Sequence, residues 1–164
     1  MTLSACCDAT IDSEAHVQEF PHHYSVAASA ATEGDVAIEG ERLPRISSAP
    51  PAEFGGPGDR WSPETLLVAA VADCFVLTFR AIASASRFAW TSLTCEVVGT
   101  VDRIDRVTQF TRIEVRARLR ISDAAREDQA HRLLAKAEST CLVTNSLKSH
   151  PHLEASVEVE PTPP

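Results

Sequence analysis

The run LLVAAVADCFVLTF, residues 66–79, is apolar on nearly every face of a helix. A helix of that kind has no face suited to water, so it belongs at the centre of a fold or across an interface between subunits. Its start is clearly marked. Ser62 suits the N-cap, Pro63 the first helical position and Glu64 the first turn. The spacing predicts a helix from residue 63 to about 84–86. Asp73 lies inside the apolar run and Arg80 just past it, so an uninterrupted apolar stretch of roughly 18 residues is not reached and no membrane span is expected.

The rest of the chain must supply what surrounds this helix. Residues 1–19 are polar, acidic and aperiodic, as in a disordered or loosely attached tail, and 20–164 read as one domain. Short strands are expected at 24–30, at 36–39 and near 43–47, separated by turns at Glu33-Gly34-Asp35 and Gly40-Glu41. APPAEFGGPGDRW, residues 49–61, has too much proline and glycine for a long helix or a central strand, and reads as an irregular loop of the kind that often borders a site. After the helix, 93–101 alternate, and 111–121 alternate more cleanly. Ile113, Val115, Ala117, Leu119 and Ile121 share one face, and Arg112, Arg116, Arg118 and Arg120 the other. An antiparallel pair with one wet face follows. Ser122-Asp123 starts a second helix running to about Glu138, and a shorter one begins near Cys141. A last strand, 154–160, carries outward glutamates that suit the outward arginines. The basic row therefore reads as a solvated sheet face. No internal repeat is present. The fold class is α+β, with antiparallel sheets wrapped around the long central helix.

Composition narrows the functions. A formal charge of −8 over 164 residues disfavours broad nucleic-acid binding, which needs a basic face. The first residues show no basic segment followed by an apolar run, so a signal peptide is not expected and a cytoplasmic location is the default. Cysteines stand at 6, 7, 74, 95 and 141, with neither a zinc-site spacing nor a secreted-scaffold pattern. Thiols so far apart in a reducing compartment are core fillers or redox groups. Cys6-Cys7 sits in the tail. Cys95 shares the apolar side of its strand with Leu93 and Val97 and reads as core. Cys74 lies mid-helix, with polar Asp73 beside it and Glu64 ten residues earlier, close to three turns and about 15 Å along the axis. Cys141 falls at the expected start of a short helix, a position able to favour a thiolate. By spacing alone each is open to a structural or a reactive reading. His22-His23 has no third ligand spaced near it, and His150 and His152 read as loop histidines.

The segments SPETLLVAAVADCF (62–75) and AESTCLVTNSL (137–147) resemble the two cysteine motifs of the OsmC/Ohr family, the osmotically inducible protein C and organic hydroperoxide resistance proteins. The likeness runs from about His22, through GGPGDRWSPE, to the last strand. It implies a tightly intertwined homodimer with each active site near the central helices. It also implies reduction of organic hydroperoxides by Cys74 as the attacking thiol and Cys141 as the resolving one, with Glu64 as the acid of the first motif. An external dithiol, such as a lipoyl-bearing protein or a small thiol, would then reduce the disulfide, without metal, flavin or haem.

The sequence departs from the family in one respect. The arginine that pairs with the family's glutamate and holds the thiolate belongs near residues 31–38, and ATEGDVAI stands there. Arg42, Arg45 or Arg60 would have to substitute, with Arg60 preferred for its place just before the SPE motif. With no cation, Cys74 is expected to have a raised pKa and to react slowly. Two other readings compete with the peroxidase: a non-catalytic protein holding a small hydrophobic ligand in the same apolar pocket, and, more weakly, a covalent thiol hydrolase using His150 or His152.

Overall fold

The structure, a computed structural model, describes residues 19–160. Cys6, Cys7 and, Glu19 apart, the expected tail lie outside the described residues.

The apolar run forms helix α1, Pro63–Ala85. Ser62 and Thr65 cap its start reciprocally. The Thr65 amide donates to Ser62 Oγ at 3.2 Å, and the Ser62 amide donates to Thr65 Oγ1 at 2.8 Å. Thr65 thus takes the position that Glu or Gln fills in the usual capping box. At the other end Arg87 turns left-handed at φ 48°, and the Phe88 amide reaches back to the Ala83 carbonyl at 2.8 Å. That closure turns Phe88 into the core, where the Arg126 guanidinium lies 4.7 Å from its ring centroid.

The main sheet comprises β4 (Ser92–Ile104), β5 (Val107–Ile121) and β6 (Pro151–Val159), in that order. β4 and β5 form the expected antiparallel pair, with Cys95 opposite Ala117 and Val97 opposite Val115. The alternation of β5 is obeyed throughout its second half: Ile113, Val115, Ala117, Leu119 and Ile121 are all buried. On the outer face Arg116 reaches Glu154 at 3.4 Å, and Arg118 and Arg120 reach Glu158 at 3.4 and 3.0 Å. Arg116, Arg118 and Arg120 of the basic row are therefore paired with acids of the neighbouring strand, while Arg112 pairs with Glu114 of its own strand at 2.7 Å. The antiparallel rule has one exception: β6 joins β5 in parallel, because the chain returns to it through helices α2 (Glu127–Thr140) and α3 (Leu142–Asn145) rather than a hairpin. β6 also begins three residues earlier than the glutamate alternation suggested, at Pro151.

The second sheet is small and antiparallel: β1 (Ala27–Ser29), β2 (Val36–Glu39) and β3 (Ile46–Ser48). The strand expected over 24–30 is thus only three residues long, and the one near 43–47 lies slightly later. The loop 49–61 contains a single 3-10 turn, Ala52–Phe54, and is closed at its ends by the Ala49 amide donating to the Trp61 carbonyl at 2.9 Å. Gly56 permits the closure: a Cβ there would lie 1.6 Å from the Pro50 carbonyl oxygen.

The core is the seam between α1, α2 and the inner face of the main sheet. From α1 it takes Val71, Phe75, Phe79 and Ala83, one stripe at helical spacing, with Phe79 set edge-on to Trp90 at 5.5 Å. α2 contributes Ala130, Leu133, Leu134 and Ala137. The opposite stripe of α1, with Ala70, Asp73, Leu77 and Ala81, is exposed in the single chain. By length and composition α1 could cross a membrane, its most apolar window having a mean hydropathy of 2.0; in this fold one side is packed on protein and only 22% of that window is buried. The full enclosure expected from its sequence is therefore achieved on one side.

Replacing Ser62, which is 1% exposed, with alanine removes one half of the reciprocal cap. Urea unfolding of Ser62→Ala is expected to show a loss of about 1 kcal/mol. A change within the ~0.5 kcal/mol of an inert surface substitution would show that the cap does not hold the helix.

Candidate functional site

The two cysteines singled out by their sequence context come together. Cys74 projects from the middle of α1, half-buried, and Cys141 occupies the corner where α2 ends and α3 begins. Both are free thiols. The corner depends on Cys141 leaving the helical region at φ −64°, ψ 116°, which makes it at once the last cap of α2 and the first of α3. Its carbonyl accepts from the Asn145 amide and from Thr144 Oγ1, each at 3.0 Å. The Asn145 side chain reaches back across the corner to the Ser139 carbonyl at 3.2 Å. The asparagine four residues after Cys141 is thus a staple between the two helices.

This corner aims the free amides at the start of α3 at Cys74. Burial pushes the Cys74 thiol up. That effect is outweighed by bonds donated to its thiolate from the Cys141 thiol, the Val143 amide, the Thr78 hydroxyl and the Leu142 amide, and the net pKa lies below that of an ordinary cysteine. Thr78 Oγ1 lies 3.9 Å from the sulfur, one turn along the same helix. The partner shifts the other way. Cys141 is fully buried, and burial, together with donation to Cys74, raises its pKa, although the Thr144 amide and hydroxyl partly oppose this. Donation from Cys141 to Cys74 thus pushes the two pKa values apart, Cys74 down and Cys141 up.

Two sequence expectations are corrected here. The helix start at Cys141 does not give Cys141 a lowered pKa: burial and donation to Cys74 outweigh the Thr144 amide, and the Leu142 and Val143 amides serve the facing cysteine. Cys74 is also not raised by the lack of a cation, because hydrogen-bond donors replace one. Cys95, on the inner side of β4, is pushed up to about 11, chiefly by burial and also by the nearby charge of Cys141. That agrees with its reading as a core residue.

Glu64 and Arg60 are not brought into this cluster. Arg60 is held by Asp35 and Asp59, each at 3.0 Å, and makes no ion pair with Glu64. The aspartates at 35 and 59 lie nearer to it than the SPE motif's acid, and they take its charge. Arg45 pairs with Glu39 at 3.6 Å, and Arg42 with its exposed neighbour Glu41 at 3.5 Å. Glu64 lines a cavity at the start of α1 instead. His150 and His152 are exposed. No three His, Cys, Asp or Glu side chains converge as a metal cage among the described residues. Sequence reasoning missed Thr78, Thr144 and the Leu142 and Val143 amides. Of these only Thr78, four residues after Cys74, had a signal in its spacing.

The family model for OsmC-like protein matches residues 56–156. Uncharacterized protein YmaD of Bacillus subtilis is 28% identical over 113 residues, 67% of this chain and 75% of that protein. Among solved structures, an OsmC-like protein of unknown function from Vibrio cholerae superposes with a TM-score of 0.75 at 19% identity, covering 83% of this chain and all of that one. An organic hydroperoxide resistance protein from Legionella pneumophila superposes with a TM-score of 0.66 at 23% identity, covering 86% of this chain and all of that one. With a family match that spans α1, β4, β5, most of β6 and both Cys74 and Cys141, the chain belongs to the OsmC-like protein family.

Proposed function

We propose that the chain is a thiol-dependent peroxidase for organic hydroperoxides, working through Cys74 and Cys141. The observation that carries this reading is the place of Cys141 as a hydrogen-bond donor to Cys74, with the Cys74 pKa lowered and the Cys141 pKa raised. The thiolate attacks the outer oxygen of ROOH. The O–O bond breaks, the alkoxide takes a proton and leaves as alcohol, and Cys74 becomes a sulfenic acid. Cys141 then attacks that sulfur, releasing water and closing a disulfide. An external dithiol, a small thiol or a lipoyl-bearing protein, returns both cysteines to thiols by exchange. Hydroperoxide resistance in the names of fold relatives from Legionella pneumophila and Elizabethkingia anophelis supports the same reading. A cytoplasmic site of action goes with it, since the cycle needs a reducing compartment.

The working unit in this proposal is a homodimer. The exposed stripe of α1 is apolar around Leu77, which is 49% exposed, and a second copy of the same stripe would cover it. Asp73 and Arg80 sit on that side with opposite charges and make no ion pair among the described residues. A reading as a binding protein is favoured by a separate observation, the apolar cavity beside Glu64 that lies apart from the thiols.

Peptide mapping after treatment with cumene hydroperoxide is expected to find a Cys74–Cys141 disulfide, with Cys74→Ser abolishing turnover and Cys141→Ser leaving a trapped sulfenic acid. Both thiols recovered free after excess peroxide would exclude the mechanism. Alkylation gives a second check. With its pKa lowered, Cys74 is expected to label rapidly at about pH 8 and to lose that reactivity as the pH falls through its depressed pKa, while Cys95 stays protonated and slow. Cys95 labelling first would contradict the electrostatics. For the dimer, Leu77→Asp is expected to convert a dimer in sedimentation analysis to a folded monomer; a monomeric parent protein would remove the proposed interface.

A further inference from the structure

Along α1 the exposed residues Ala70, Asp73, Leu77, Arg80 and Ser84 follow one another at alternating steps of three and four, with Ala81 beside them. That spacing lines one side of a helix, and it is the spacing at which one helix interlocks with another. The stripe is turned away from Val71, Phe75 and Phe79, so the packing of this chain's own core leaves it bare. Its centre is apolar, with Leu77 49% exposed. Ala70, Ala81 and Ser84 are small enough to let a second helix approach to the usual interaxial distance of about 8–10 Å.

The two charges decide what that helix can be. At 3.6 residues per turn, Asp73 and Arg80 lie on one flank of the stripe, about 20° apart around the helix and about 10.5 Å apart along it. That is too far for them to pair with each other, and neither joins an ion pair among the described residues. They stand almost symmetrically about Leu77, one four residues before it and the other three after. A second copy of α1, turned end for end about a twofold axis at Leu77, brings its Arg80 to within about 1.5 Å of the level of Asp73, on the same flank. Its Asp73 meets the first Arg80 in the same way. Copies running parallel would set Asp73 level with Asp73 and Arg80 level with Arg80.

We propose that Asp73 and Arg80 form reciprocal ion pairs between two copies of this chain, packed antiparallel along α1 with Leu77 at the twofold axis. The inference rests on the homodimer reading above and adds to it a direction, a register and the residues that set them. The apolar centre supplies the attraction. The charges choose the orientation, because like charges brought together penalise the parallel alternative. Cys74 lies on the other flank of the stripe, so the ion pairs fasten the interface without reaching the thiol.

Sedimentation equilibrium of the full chain carrying Asp73→Arg, Arg80→Asp or both exchanges tests this. Each single exchange sets like charges against each other and is expected to weaken dimerisation about tenfold, and the double exchange to restore the parent affinity. Leu77→Cys, with the parent charges kept, is expected under mild oxidation to give a disulfide joining the two substituted positions, found by peptide mapping. That measurement stands even if a charge variant does not fold. A dimeric parent indifferent to the single exchanges, or a double exchange no tighter than the singles, would overturn the ion pairs and leave the homodimer standing. A dimer without the crosslink at position 77 would overturn the register. A monomeric parent would remove both the dimer and this proposal, and the stripe would then belong to a different partner. None of these readouts depends on peroxidase turnover.

Discussion

The structure depends on the burial of one stripe of α1 against the main sheet and α2. Val71, Phe75, Phe79 and Ala83 are at most 1% exposed, and they meet an inner sheet face built from the alternate residues of β5. Each buried phenylalanine is worth about 1.5–3 kcal/mol, which makes this stripe a major term in a domain of this size. Gly99 allows the helix and sheet to approach at the end near Val68. Because α1 is fixed along its length, everything it carries has a defined place, including a cysteine in its middle that would otherwise be an unremarkable core residue.

The chemistry follows from a break in another helix. Were α2 to continue past Thr140, the amides of residues 142 and 143 would bond within it and be lost to the site. The turn at Cys141, stapled by Asn145 and Thr144, frees them and points them at the α1 thiol. The same turn places Cys141 as both donor to the thiolate and the nearest second sulfur. In the proposed cycle, activation and resolution would therefore both come from one corner, without a cation from the chain's own arginines. Those arginines serve elsewhere: Arg60 ties the 49–61 loop to the small sheet through Asp35, and Arg116, Arg118 and Arg120 tie β5 to β6.

Much of this was legible in the residues. The Ser62-Pro63 start, the alternation of β5, the charge match between β5 and β6 and the break near Cys141 all rest on local periodicity and capping chemistry, which neighbouring residues express directly. The short strands of the small sheet were placed less accurately, since three-residue strands hold too few alternations to set their ends. The parallel pairing of β6 was not legible, because the direction of return depends on how α2 and α3 pack and not on the strand's own pattern. Arg60 was drawn toward the SPE motif by proximity in sequence, and nothing local warned that Asp35, far away in the chain, would claim it.

The sequence by itself determined the α+β class, the central helix and the two cysteines worth following, because these are matters of pattern and residue type. Only the tertiary structure decided which sulfur has its pKa lowered and which raised, since the sign of a pKa shift depends on which donors point at an atom. It also decided that Glu64 would stand apart from every arginine of its own chain, because ion pairing is settled by distance in space, over which sequence separation has no hold.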